Sequence, residues 1–163
     1  MAHVSIAERF AFGTPTEQVS EPRFGVLQRS GTMLVARILI GAIFLVSGFA
    51  KLGDHSGTAG HMAGVGIPAP DVLAYVAGWA EIIGGIAVMA GFLARIGAFA
   101  LVAFLTITTL VFHAFWNYQG QELIQQSVQF MKNLAVIGGL LLLYAVGPGR
   151  YSIDAKLRRP LAP

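Results

Sequence analysis

Between Met33 and Leu52 the chain runs for 20 residues in which only Arg37 and Lys51 are charged, and three more runs of this character follow. The second run holds Glu81, the third holds no charge, and the fourth holds Lys132. A helix crossing a bilayer needs about 20 apolar residues, because its backbone groups find no water in a core about 30 Å thick and must bond one another. The expected fold is therefore all-α, an integral membrane four-helix bundle with spans at about 33–52, 72–93, 96–116 and 127–146. Composition agrees: 12% of residues are charged, where a soluble domain carries roughly 25%.

Residues 1–31 mix Glu8, Arg9, Glu17, Glu21, Arg23 and Arg29 with Pro15 and Pro22, and read as an N-terminal cytoplasmic tail. No cleavable signal is expected, since the first apolar run starts only at Met33. Residues 32–155 form the membrane domain and 156–163 a basic C-terminal tail. A Gly-rich connection with Pro68 and Pro70 separates the first two spans, and a Gln-rich polar loop separates the last two. Arg9, Arg23, Arg29, Arg95, Arg150, Lys156, Arg158 and Arg159 fall on the side of both termini, whereas the opposite side offers only Lys51. By the positive-inside rule both termini face the cytoplasm.

The chain has no cysteine, which removes thiolate catalysis, disulfide exchange and iron–sulfur clusters. Any redox chemistry needs a borrowed carrier. A net charge of +3, distributed as membrane orientation requires, gives no reason to expect a nucleic-acid partner. His55 and His61 match no regular metal-ligand spacing, so no metal site is expected, and His113 alone inside a span is a poor haem ligand set. Met89 and Met131 read as packing residues.

Small and polar residues recur at helical spacing: Arg37, Gly41, Phe44, Gly48 and Lys51 in the first span, and Ala74, Gly78, Glu81 and Gly85 in the second. The third carries Thr106, Thr109 and His113, and the fourth Lys132, Ala135 and Gly139. Such stripes mark the faces that look into a bundle. At 1.5 Å per residue Glu81 lies roughly 15 Å below Asp71, Lys132 about 8 to 9 Å and His113 about 5 Å from that same side. Glu81, His113, Lys132 and Lys51 are thus expected to cluster in the outer half, with Lys132 the cation for Glu81. Such a cluster could relay a proton or hold a quinone headgroup or another polar ligand. It could equally be a fixed ion pair that sets helix register. Arg37, near the inner end, either snorkels or forms an architectural salt bridge to Asp154 beyond the Gly147-Pro148-Gly149 turn.

The order Arg37, Gly41, Phe44, Ser47-Gly48-Phe49-Ala50-Lys51-Leu52, then Gly66-Ile67-Pro68-Ala69-Pro70, Glu81 with Gly84-Gly85, Lys132-Asn133 and Gly147-Pro148-Gly149-Arg150-Tyr151-Ser152-Ile153-Asp154 resembles the DoxX family of small bacterial membrane proteins. The resemblance covers roughly residues 32–155. It implies a multi-pass protein of the bacterial inner membrane, associated with quinone-linked or thiol-redox complexes through a soluble or membrane redox partner. It implies no intrinsic cofactor and carries over no catalytic residues, so Glu81, His113 and Lys132 rest on burial alone. The expected function is a redox-associated, quinone-linked membrane subunit; the alternatives are a non-enzymatic scaffold for a partner complex and, less favoured, a small-solute permease.

Overall fold

The computed structural model describes residues 23–157, and every regular element among them is helical. The elements are α1 (Arg23–Gly53), α2 (His55–Gly64), α3 (Pro70–Ala90), α4 (Ala94–Phe112), a 3₁₀ turn at Phe115–Asn117, α5 (Gly120–Val146) and α6 (Ile153–Leu157). Within α1, within α4 together with the 3₁₀ turn, and across α3 and α5 lie four segments long and apolar enough to cross a membrane. The side where α1 begins and α6 ends is here the terminal side, and the opposite one the far side. The N-terminal tail expected over 1–31 lies outside the described residues up to position 22, as do residues 158–163 of the basic C-terminal tail.

Local chemistry sets the helix ends. Pro70 occupies the first turn of α3, where its missing N–H costs nothing. Gly91 ends that helix in the left-handed conformation at φ 67°, its N–H returning to the carbonyls of Ala87 and Val88. Two connections expected to be irregular are helical. The Gly-rich segment after α1 folds into α2 because Asp54 caps it, its carboxylate accepting from the Gly57 N–H at 3.0 Å. The Gln-rich stretch before the fourth span is the opening of α5, since Gln, Glu and Leu are strong helix formers and hydropathy locates the membrane boundary rather than the helix boundary.

The four spans alternate in direction, α1 packing chiefly on α3 and α5 chiefly on α4, with a smaller α3–α4 contact joining the two pairs. The α1–α3 contact rests on glycines seven residues apart on each helix. A Cβ on Gly48 would stand 2.7 Å from the Gly78 carbonyl oxygen, and a Cβ on Gly85 2.9 Å from that of Gly41. Small residues at both crossings let the backbones meet, which is how helices associate where water cannot drive them together. Phe44 fills the space between the crossings and joins Val88, Leu101, Leu105, Val136 and Leu140 in the main core. At the far side Ala59 and Met62 of α2 cover Ala74 and Ala77 of α3, flanked by Phe104 and Phe112. The outer faces carry exposed Val46, Ile83, Ile107 and Leu142, as a surface solvated by acyl chains requires.

The inward stripes expected on α1 and α3 are the buried faces. On α5 the buried face is Asn133, Val136, Leu140 and Leu143, one residue round from the expected Lys132, Ala135 and Gly139. Inside a bilayer the lipid-facing and core-facing sides are equally apolar, so hydropathy alone cannot fix a helix's rotation. Asn133 decides it here: its Nδ2 donates to Thr109 Oγ1 of α4 at 2.9 Å, with both side chains buried.

Candidate functional site

Lys51 sits in the last turn of α1 and Glu81 one residue past the centre of α3. Along a helix every Cα–Cβ bond tilts toward the N-terminus. Because the two helices run in opposite directions, the Lys51 side chain leans into the membrane while that of Glu81 leans toward the far side. They meet: Lys51 Nζ lies 2.8 and 3.0 Å from the two carboxylate oxygens and donates to Ser47 Oγ, one turn back on α1, at 2.7 Å. The carboxylate is 5% exposed and the lysine side chain 26%. An ammonium has three N–H donors, and Ser47 with the two Glu81 oxygens occupies all three.

The expected cluster of Lys51, Glu81, His113 and Lys132 is therefore brought together only in part. Lys132 is not the cation for Glu81. It is exposed on α5, one position away from the buried face, and donates to Gln129 Oε1 at 2.5 Å. His113 caps α4, and its Nδ1 lies 2.8 Å from Gln126 Oε1 on α5. No hydrogen bond joins either residue to Glu81. Sequence reasoning missed Ser47, although its position four residues before Lys51 places it on the same stripe. It also passed over Asn133 in favour of the charge beside it.

The terminal side holds a second polar assembly. Gly147, Gly149 and Gly91 adopt positive φ, and the chain after α5 folds back across the ends of α1 and α3. Arg37, 1% exposed, donates through Nη2 to the Tyr151 carbonyl. Its Nε and Nη1 have no partner among the described residues. The expected Arg37–Asp154 salt bridge is not formed. Both Asp154 oxygens instead accept backbone N–H groups at the start of α4, from Leu93 at 2.8 Å and Ala94 at 2.9 Å, and its own N–H donates to the Gly91 carbonyl at 2.9 Å. A helix N-terminus offers unpaired donors and a positive dipole end, and these hold the carboxylate.

Leu93 pays for this geometry with a left-handed backbone at φ 47°, uncommon for a residue other than glycine. Asp154→Ala should remove the cap and both charge-assisted bonds, costing roughly 1–2 kcal/mol. Hydrogen exchange should then accelerate at Leu93 and Ala94 with the rest of α4 unchanged; equal protection in the variant would show that the cap contributes nothing.

Two surface cavities are formed away from the Lys51–Glu81 pair. One of about 290 Å³ lies between the start of α4, the end of α5 and the tail, and one of about 360 Å³ lies between α3 and α4. Neither is lined by Lys51, Glu81, His113 or Lys132. Among the described residues no three His, Asp or Glu side chains gather as a metal site would require.

Four membrane-length helices, a charge pair joining α1 to α3 and a tail folded over one end define a small multi-pass membrane protein. The DoxX family model matches residues 32–114, from α1 through the end of α4. Over 131 residues the chain is 38% identical to inner membrane protein YqjF of Escherichia coli K12, covering 78% of this chain and 92% of that protein. It is 32% identical over 124 residues to inner membrane protein YphA of the same organism, covering 76% and 89%. An uncharacterized membrane protein of Mycobacterium tuberculosis, Rv3486, is 30% identical over 147 residues, covering 86% and 90%. The chain belongs to the DoxX family. No solved structure matches it.

Proposed function

We propose that this chain is a non-catalytic subunit of the bacterial inner membrane, both termini cytoplasmic, that holds a redox partner at the membrane. The inner-membrane location is supported by the names of the E. coli relatives, and the orientation by the excess of Lys and Arg on the terminal side. What weighs against a catalytic quinone site is the closure of the Lys51–Glu81 pair on itself, and the redox partner follows from the family resemblance alone. A quinone headgroup needs free donors for its carbonyls and room for its ring. All three Lys51 donors are engaged inside the protein, and the two cavities lie elsewhere. With its donors engaged, the Lys51–Glu81 pair as it stands offers a quinone carbonyl no free N–H, and with no cysteine this reading assigns the electron carrier to the partner.

A second reading, in which the chain docks the quinone itself, is favoured by one feature: the Lys51 side chain is 26% exposed, so its ammonium could exchange Glu81 for a ligand from the far side. A quinone titration in lipid nanodiscs separates the two. The subunit reading expects no saturable binding to wild type and no change in Glu81→Gln. Saturable binding that falls at least tenfold in a folded Glu81→Gln protein would overturn it and establish the second.

A further inference from the structure

The two cavities share Leu93 and Ile96 as walls and so lie side by side along one path over the lipid-facing surface. The larger is a groove between α3 and α4 without a polar side chain in its lining, recessed because Ala80, Gly84, Ala87, Gly97 and Ala100 are small. It opens near Phe92 at the terminal side and ends at Ala80, the central residue of α3, and at Phe104. From Ile96 to Phe104 it descends about 12 Å along α4, against about 15 Å for one leaflet of a 30 Å hydrocarbon core. The groove stops at the middle of both helices, a depth comparable to one leaflet of a bilayer that they span.

The smaller cavity stands at the mouth of this groove, at the terminal-side ends of α4 and α5. Its lining includes the guanidinium-bearing Arg95, with Ser152, Asp154 and the Gly147–Gly149 turn. Arg95 is exposed, and among the described residues its one hydrogen bond is long, 3.3 Å from Nη2 to the Ala145 carbonyl, which leaves most of its five donors without a protein acceptor there. The Asp154 carboxylate is already engaged by the N–H groups of Leu93 and Ala94. Arg150 and Lys156, both exposed, are the chain neighbours of lining residues Gly149 and Ala155. The mouth is thus positive in balance, and a planar guanidinium suits a phosphate.

We propose that these cavities form one binding site for an anionic glycerophospholipid of the leaflet on the terminal side, its phosphate on Arg95 and one acyl chain in the α3–α4 groove. The site is independent of the partner-holding role proposed above, since neither cavity touches the Lys51–Glu81 pair. The test is native mass spectrometry of the full chain from mild detergent micelles doped equally with phosphatidylglycerol and phosphatidylethanolamine. Wild type should retain one phosphatidylglycerol per chain in preference to phosphatidylethanolamine. Arg95→Gln should lower that retention about tenfold, the factor expected for one charge-assisted contact to phosphate. Ala100→Phe, which fills the groove from its exposed rim and leaves the helix core alone, should lower retention of both lipids. Equal retention of the two lipids by wild type, or unchanged retention in both variants, would overturn the proposal. So would a wild-type dimer that Ala100→Phe dissociates, which would assign the groove to a second copy of this chain.

Discussion

Lys51→Met alone should destabilise the bundle by about 3 kcal/mol, and adding Glu81→Gln should return most of that loss. Removing the ammonium leaves the carboxylate buried at 5% exposure with no counter-charge, and breaking a buried pair from one side costs roughly 3–5 kcal/mol. The partial exposure of Lys51 places this case at the lower end. Neutralising both partners removes the desolvation cost as well as the attraction, and such replacements are often close to neutral. The midpoint of unfolding in a denaturing detergent titration reads both changes. A double variant as unstable as the single one would mean that the loss at Lys51 comes from its contact with Ser47 or from its stem, and that the ion pair does not organise the site.

Gly48→Leu should be more damaging still, with at least about 3 kcal/mol lost and little protein accumulating in the membrane. The first added carbon would already lie 2.7 Å from the Gly78 carbonyl oxygen and from Ile82 Cγ1, and 3.2 Å from Glu81 Cβ. Backbone cannot swing aside as a side-chain end can, so α1 and α3 must separate. With them go the Gly41–Gly85 crossing, the seat of Phe44 and the approach of Lys51 to Glu81. Gly138→Leu is the control: a Cβ there meets nothing within 4 Å, and accumulation should match wild type. Equal behaviour of the two variants would refute the close approach of α1 and α3.

Stripes of small and polar residues on α1 and α3 pointed inward correctly because both helices carry charge and glycine on the same face, a combination no lipid-facing surface tolerates. On α5 the buried face is instead the one that carries Asn133. Lys132 and Asn133 stand side by side, and charge drew attention to the lysine, yet a lysine near a span end can reach polar surroundings along its own stem whereas a buried amide needs a partner within hydrogen-bond distance. The Asn133–Thr109 bond therefore sets the rotation of α5, and Lys132 is turned outward. Counting rise per residue puts Lys132 about 8 to 9 Å from the outer side, within reach of Glu81. Side-chain length and tilt, which count residues do not capture, carried the Lys51 ammonium inward to the carboxylate.

What the amino-acid order determined by itself is the number of membrane-crossing helices, the all-helical class and the two inward faces that carry glycine and charge, because each follows from length and from the cost of polar groups in hydrocarbon. Tertiary structure alone decided which cation meets Glu81, that Asp154 caps α4 instead of bridging to Arg37, and that two cavities line up beside Arg95. Those outcomes depend on helix rotation and on where chain ends fold back. Where both faces of a helix are largely apolar, as on α5, only contacts between distant residues can set them.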